Sequence, residues 1–162
     1  MADDSVTLEF STTHALLLAF VVGVFAGGFI ISAVNAVTGP TGAAVGPAGS
    51  THEHAQFSVF VNGEEIDFSQ PRYQFQQTQN SRVHFEAGDG SRIHKHATGV
   101  TIGFALESLD MGINATCLTV HDETYCEDGA ATLETMVNGE EIQNPASHVI
   151  RDGERIRIEY TS

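Results

Sequence analysis

The chain opens with one unbroken apolar block and then changes to short alternating runs, and that change divides it. From Ala15 to Val34 it reads ALLLAFVVGVFAGGFIISAV without a charge, close to the ~20 residues that cross a hydrocarbon core. The pattern predicts a transmembrane helix over 15–36, after an acidic tail over 1–14 that carries Asp3, Asp4 and Glu9. A cleaved signal peptide is the competing reading, but the acidic start and an apolar run longer than the ~7–15 residues of a signal h-region favour a retained anchor. Residues 37–50, VTGPTGAAVGPAGS, are uncharged and rich in Gly, Pro and Ala, which predicts a flexible linker. A folded domain is expected over 51–162.

Within that domain the pattern turns to strands. Gln56 to Val61 and Glu64 to Phe68 flank Asn62-Gly63, the strongest short hairpin signal. The same hexapeptide, Val-Asn-Gly-Glu-Glu-Ile, returns at Val137 to Ile142 after Thr132 to Met136, predicting a second tight turn between strands. Ser81 to Glu86 and Ser91 to His96 read as short strands joined by Ala-Gly-Asp-Gly, and Arg155 to Tyr160 alternates at period two, as a half-buried strand does. One helix is predicted from Thr101 to Met111: Thr101 is its N-cap, Ile102, Ala105, Leu106 and Leu109 form its apolar stripe, and Gly112 stands at its end. Hairpin, helix and further strands imply an α+β class: a β-grasp-like roll, one helix packed on a mixed sheet, behind one N-terminal transmembrane helix.

Composition supports packing, because 41% hydrophobic residues exceed what a disordered chain carries. With 21 Asp+Glu against 7 Lys+Arg, the chain lacks the basic footprint that nucleic acid requires. Cationic partners and metal ions stay open. The acidity also suits a solvated surface of the kind seen in salt-loving archaea. Neither flank of the apolar block carries Lys or Arg, so charge does not orient it in the bilayer. Two other features place the domain outside a single-pass cell membrane protein. Asn114-Ala-Thr116 is a glycosylation sequon. Cys117 and Cys126 flank LTVHDETY, a stretch whose folding into a hairpin sets the sulfurs side by side for a disulfide suited to an oxidising compartment. In the apolar block, Gly23 and Gly27 make a small-residue face on which a second helix can pack, from a larger membrane complex or from another copy of the chain.

The histidines carry the candidate chemistry. Six of eight fall between positions 52 and 121, and His52-Glu-His54 and His94-Lys-His96 are two His-x-His pairs. In a strand, residues i and i+2 share a face, so each pair presents two imidazoles together. With His84 as a fifth, the set His52, His54, His84, His94 and His96 is a candidate site for copper or zinc, or nickel. Four converging imidazoles suit holding an ion, whereas three leave a position for water, with Glu86 or Glu53 as base or outer carboxylate. The competing reading is a set of separate surface or core histidines. A pH sensor is another use of such a cluster. His14 and His148 stand apart.

The residues from His52 onward, above all His52-Glu-His54, Val59 to Phe68, Val83-His84-Phe85-Glu86 and Ile93 to Thr101, resemble a family of uncharacterised membrane-anchored archaeal proteins with a histidine-rich β-domain. The stretch from Thr132 to Tyr160 is similar to the last part of β-grasp domains. Members of the archaeal family are sometimes labelled protein-disulfide isomerases; this chain has no Cys-x-x-Cys. The resemblance implies location and architecture more than activity. The leading expectation is therefore a membrane-tethered domain that binds copper or zinc, or an accessory subunit of a membrane complex. A metal-dependent hydrolase or thiol oxidoreductase comes second, and a purely structural subunit third. No nucleophile elbow, phosphate-cradling loop or dinucleotide fingerprint is present.

Overall fold

The computed structural model describes residues 44–162. The predicted anchor over 15–36, its Gly23 and Gly27, and the first part of the linker lie outside the described residues. Among those described, no helix is long and apolar enough to cross a membrane.

The domain is a mixed α+β structure, mostly sheet. Its strands are β1 (Glu53–Val61), β2 (Glu64–Glu65), β3 (Val83–His84), β4 (Arg92–Lys95), β5 (Met111–Ile113), β6 (Cys117–Val120), β7 (Glu123–Cys126), β8 (Thr132–Val137), β9 (Glu140–Glu141) and β10 (Arg155–Thr161). Two short helices, α1 (Phe75–Thr78) and α2 (Ile102–Glu107), interrupt them. The large sheet runs β3-β4-β1-β10-β8-β9, with β2 also on β1. Its centre is parallel, since β1 pairs β10 from Gln56↔Arg155 to Val61↔Tyr160. The flanking pairs β1–β4, β3–β4 and β10–β8 are antiparallel. A second sheet, β5-β6-β7, is antiparallel throughout.

Alternation decides the faces. Odd-numbered Phe57 and Val59 of β1 pair with Ile156 and Ile158 of β10, and all four are buried with Phe85, Ile93 and Leu106 in one core. Each such side chain stabilises the fold by about 1.5–3 kcal/mol through area removed from water. The even-numbered positions face the other way: Ser58 pairs Arg157 and Phe60 pairs Glu159, and Arg157 lies over the Phe60 ring at 3.7 Å.

Both Asn-Gly turns form as the repeat predicts. Asn62 and Asn138 take φ values of 52° and 55°, and the following glycines 82° and 88°, the doubly left-handed turn that matches strand twist. The strand after the first turn is shorter than expected. Asp67 Oδ1 accepts from Ser69 N at 3.0 Å, turning the chain after Ile66 and ending β2 at Glu65.

The helix is also shorter than predicted. Thr101 caps it as expected, accepting from Phe104 N at 3.1 Å, but α2 stops at Glu107. Ser108 Oγ donates back to Ala105 O, and Asp110, at φ 60°, takes the left-handed stop expected of Gly112. Gly112 instead pairs Thr119 within β5. A further helix, α1, follows a Pro71–Tyr73 3₁₀ turn, in a Gln-rich stretch without an apolar period. The loop before β4 packs closely on the turn after β2: a Cβ on Gly90 would stand 2.3 Å from Ser69 N.

Residues 44–50, composed like a linker, are tied to the domain. Gly46 N donates to Thr98 O at 2.9 Å and Gly49 N to His96 O at 2.7 Å, while Arg82 Nε donates to Gly46 O. Glycine at 46 permits this approach, since a Cβ there would lie 2.4 Å from Thr98 Oγ1.

Candidate metal centre

Register assembles the histidines. On β1 and β4, His54 pairs with His94, and on β3 and β4, His84 pairs with that same His94. One row of three imidazoles therefore crosses three adjacent strands on the polar face. His52 and His96, two residues beyond His54 and His94, extend the row on the same face. The rings touch accordingly: centroids stand 4.5 Å apart for His54 and His94, 4.6 Å for His52 and His96, and 5.0 Å for His84 and His96. All five predicted ligands are brought into one patch.

They are not equivalent. His52, His54 and His94 each offer a ring nitrogen such that the three atoms lie within 4.8 Å of one another; His52 Nε2 and His54 Nε2 are 3.2 Å apart. A cluster of this kind can hold a metal ion. His84 and His96 stand beside this trio, with Glu86 between His84 and His94: Glu86 Oε2 lies 3.3 Å from His84 Nε2 and Oε1 lies 3.4 Å from His94 Nδ1.

No family model, curated protein or solved structure matches this chain.

Of the trio, His52 is exposed, His54 half-buried and His94 buried. His94 is only 7% exposed, and its Nδ1, despite the nearby carboxylate, is aligned with no hydrogen-bond partner. A buried polar atom without a partner costs about 1–3 kcal/mol. Burial also holds the His94 imidazole below its ordinary pKa, against the raising effect of Glu86 and with the neighbouring His54 and His84 adding to the fall. His96 is lowered in the same way, by burial first and then by His84 and His52. Neutral imidazole is the form that ligates. Three such donors leave a fourth position of a tetrahedral ion for water or a substrate atom.

The backbone around the site is fixed from both sides. His54 N donates to Asp152 Oδ1 at 2.9 Å, and Gly153 N donates to His54 O at 2.7 Å, so the loop before β10 holds the start of β1. Of the two carboxylates considered as base, Glu86 is at the site and Glu53 is not. Glu53 sits between His52 and His54, so alternation turns it to the opposite face, where its Oε2 accepts from Lys95 Nζ at 2.7 Å. The strand rule that grouped the histidines excludes it as well.

Nothing in the sequence marks Lys95 except that it is the only lysine. It is 3% exposed and also donates to Ile150 O at 2.6 Å. Between His94 and His96, it rivets the sheet beneath the patch. The Asn80 carbonyl, which takes His84 Nδ1 at 2.8 Å, likewise has no sequence signature.

The remaining candidates lie elsewhere. Cys117 and Cys126 are directly paired across β6 and β7 and form a disulfide, in the hairpin expected of them. Asn114 is exposed and caps the turn before β6, accepting from Thr116 N and Cys117 N, each at 2.8 Å. His121, at the tip of that hairpin, meets Tyr73 Oη at 2.8 Å and takes no part in the patch. His148 pairs with buried Glu154 at 3.0 Å.

Proposed function

We propose that this chain is a membrane-tethered, extracytoplasmic β-domain that binds copper or zinc through His52, His54 and His94, serving as a metal-binding module or accessory subunit of a membrane complex. The observation that carries this reading is the row of imidazoles across β1, β4 and β3, with the unpartnered nitrogen of His94 at its centre. An all-nitrogen donor set favours copper and zinc over magnesium and calcium, which take oxygen ligands. With 18 of the 21 Asp+Glu and all 7 Lys+Arg in residues 51–162, the domain is strongly acidic and concentrates cations around itself.

The disulfide supports a location outside the reducing cytoplasm, and the apolar block over 15–36 supports the anchor. First and last strands paired in parallel at the centre of the sheet, with β2 and β8 outside them, support a β-grasp-like roll with β3, β4 and the small sheet added. The test is direct. Tag-free full-length protein, purified in detergent and stripped with chelator, should take up Zn(II) or Cu(II) with a dissociation constant in the micromolar range or tighter, and His94→Ala should weaken binding at least a hundredfold. Absence of uptake of either ion would remove the proposal.

A further inference from the structure

We infer that residues 45–51 form a strap that positions His52, so that one imidazole of the trio is a ligand the protein can withdraw. This rests on the metal-binding reading of the patch and names how that site is regulated.

His54 and His94 stand opposite one another in the sheet. His52 is one residue outside it, because β1 begins at Glu53, whose partner Lys95 is the last residue of β4. A side chain beyond the last pair of a ladder is not held by the ladder. What holds the backbone before His52 is the strap. Gly49 N donates to His96 O at 2.7 Å, Thr51 N reaches the same oxygen at 3.5 Å, and Gly46 N donates to Thr98 O at 2.9 Å. Thr98 N donates in return to Ser50 Oγ at 2.9 Å. Arg82, whose carbonyl takes His96 N, adds a bond from its Nε to Gly46 O at 3.0 Å. All these anchors lie on Arg82, His96 and Thr98, beside the patch. With the strap seated, the His52 ring stands 4.8 Å from that of His54 and 4.6 Å from that of His96.

The seat is shallow. Val45 packs against the core, but residues 47–50 are exposed, so hydrogen bonds open to water carry most of the hold. Segments of this kind open locally at little cost. Gly49 sits at φ 85°, and no described atom lies within 4 Å of where its Cβ would stand; the backbone conformation, not lack of space, calls for glycine there. When the strap lifts, His54 and His94 stay in the sheet and His52 leaves with the strap. Two imidazoles then hold the ion, with water in place of the third, and a stronger acceptor can take it.

Zn(II) titration of stripped, tag-free full-length protein in detergent tests this. Gly49→Val, a β-branched residue in left-handed backbone, should weaken binding about ten- to hundredfold, the range for groups that orient a ligand from outside, chiefly through faster release to a chelator. Ser50→Ala, a milder change that removes the acceptor of Thr98 N, should act in the same direction to a smaller extent. The deciding measurement is the double variant: once His52→Ala has removed the ligand, adding Gly49→Val should change the affinity by less than about twofold. With Co(II) as probe, the visible spectrum of the Gly49→Val complex should match that of the His52→Ala complex. Wild-type affinity in both strap variants, or a Gly49→Val effect that persists in full after His52→Ala, would overturn the strap and leave the trio standing. No uptake by the wild-type protein would overturn both readings.

Discussion

Replacing Lys95 by Met tests how the sheet beneath the histidines is held. Methionine keeps the unbranched stem and removes the charged head, which donates to Ile150 O and to Glu53. Ile150 is 1% exposed, and leaving its buried carbonyl unpartnered costs about 1–3 kcal/mol. Losing one partner of a fully buried ion pair costs about 3–5 kcal/mol. Glu53 is only partly buried, at 27% side-chain exposure, and keeps Thr51 Oγ1 as a donor at 2.7 Å. Its share is nearer the ~0–1 kcal/mol of a solvated pair. The expected loss is about 2–3 kcal/mol, a large part of the stability of an ordinary domain. Urea unfolding followed by near-UV circular dichroism measures it. All three tyrosines lie at positions 73, 125 and 160, so the tyrosine band of that spectrum reports on this domain alone. A double cycle with Glu53→Gln should show coupling between the two sites. A midpoint within error of wild type, with no coupling, would refute the account of Lys95 as a buried rivet.

Two further outcomes are expected. The metal-free protein should lose stability as pH falls below about 6.5, the ordinary histidine value. Folded His94 and His96 resist protonation while the unfolded chain takes up protons, so their contribution is full above that pH and is lost on descending through it. Asp67 and Asp89, held below the usual carboxylate range by hydrogen bonds from Ser69 and Ser91, add a second decline below about pH 4. A stability profile flat from pH 7.5 to 5, or one unchanged by His94→Leu, would count against this. Separately, the Cys117→Ser, Cys126→Ser double variant opens a loop whose ends are nine residues apart and should cost about 2–3 kcal/mol by restoring freedom to the unfolded chain. Its bound metal, measured by elemental analysis, should stay unchanged.

Local chemistry made much of this legible in advance. Asn62-Gly63 and Asn138-Gly139 specify their turns because both residues tolerate left-handed backbone, and Thr101 caps α2 for reasons contained in three residues. The His-x-His pairs were legible because alternation is a property of any strand. What the sequence could not contain was register. That His84 stands opposite His94, and not Lys95 or Ile93, follows from how β3 slides along β4, and a slip by one would turn it to the other face. Glu86 acquires its importance only through that register. α2 ends before its apolar pattern does, with Asp110 adopting a backbone conformation that is usual for glycine.

The pairing of β1 with β10 also sets an order of events. Everything that forms the row of imidazoles lies between His52 and His96, and those strands can meet early in synthesis. The other edge of β1 has to wait for Arg155 to Thr161. Until Arg155 to Thr161 are made, that edge of β1 offers unsatisfied amides to any neighbour. A nascent chain cut short there has its ligands but no seam to close, and its hazard is aggregation before it is loss of metal.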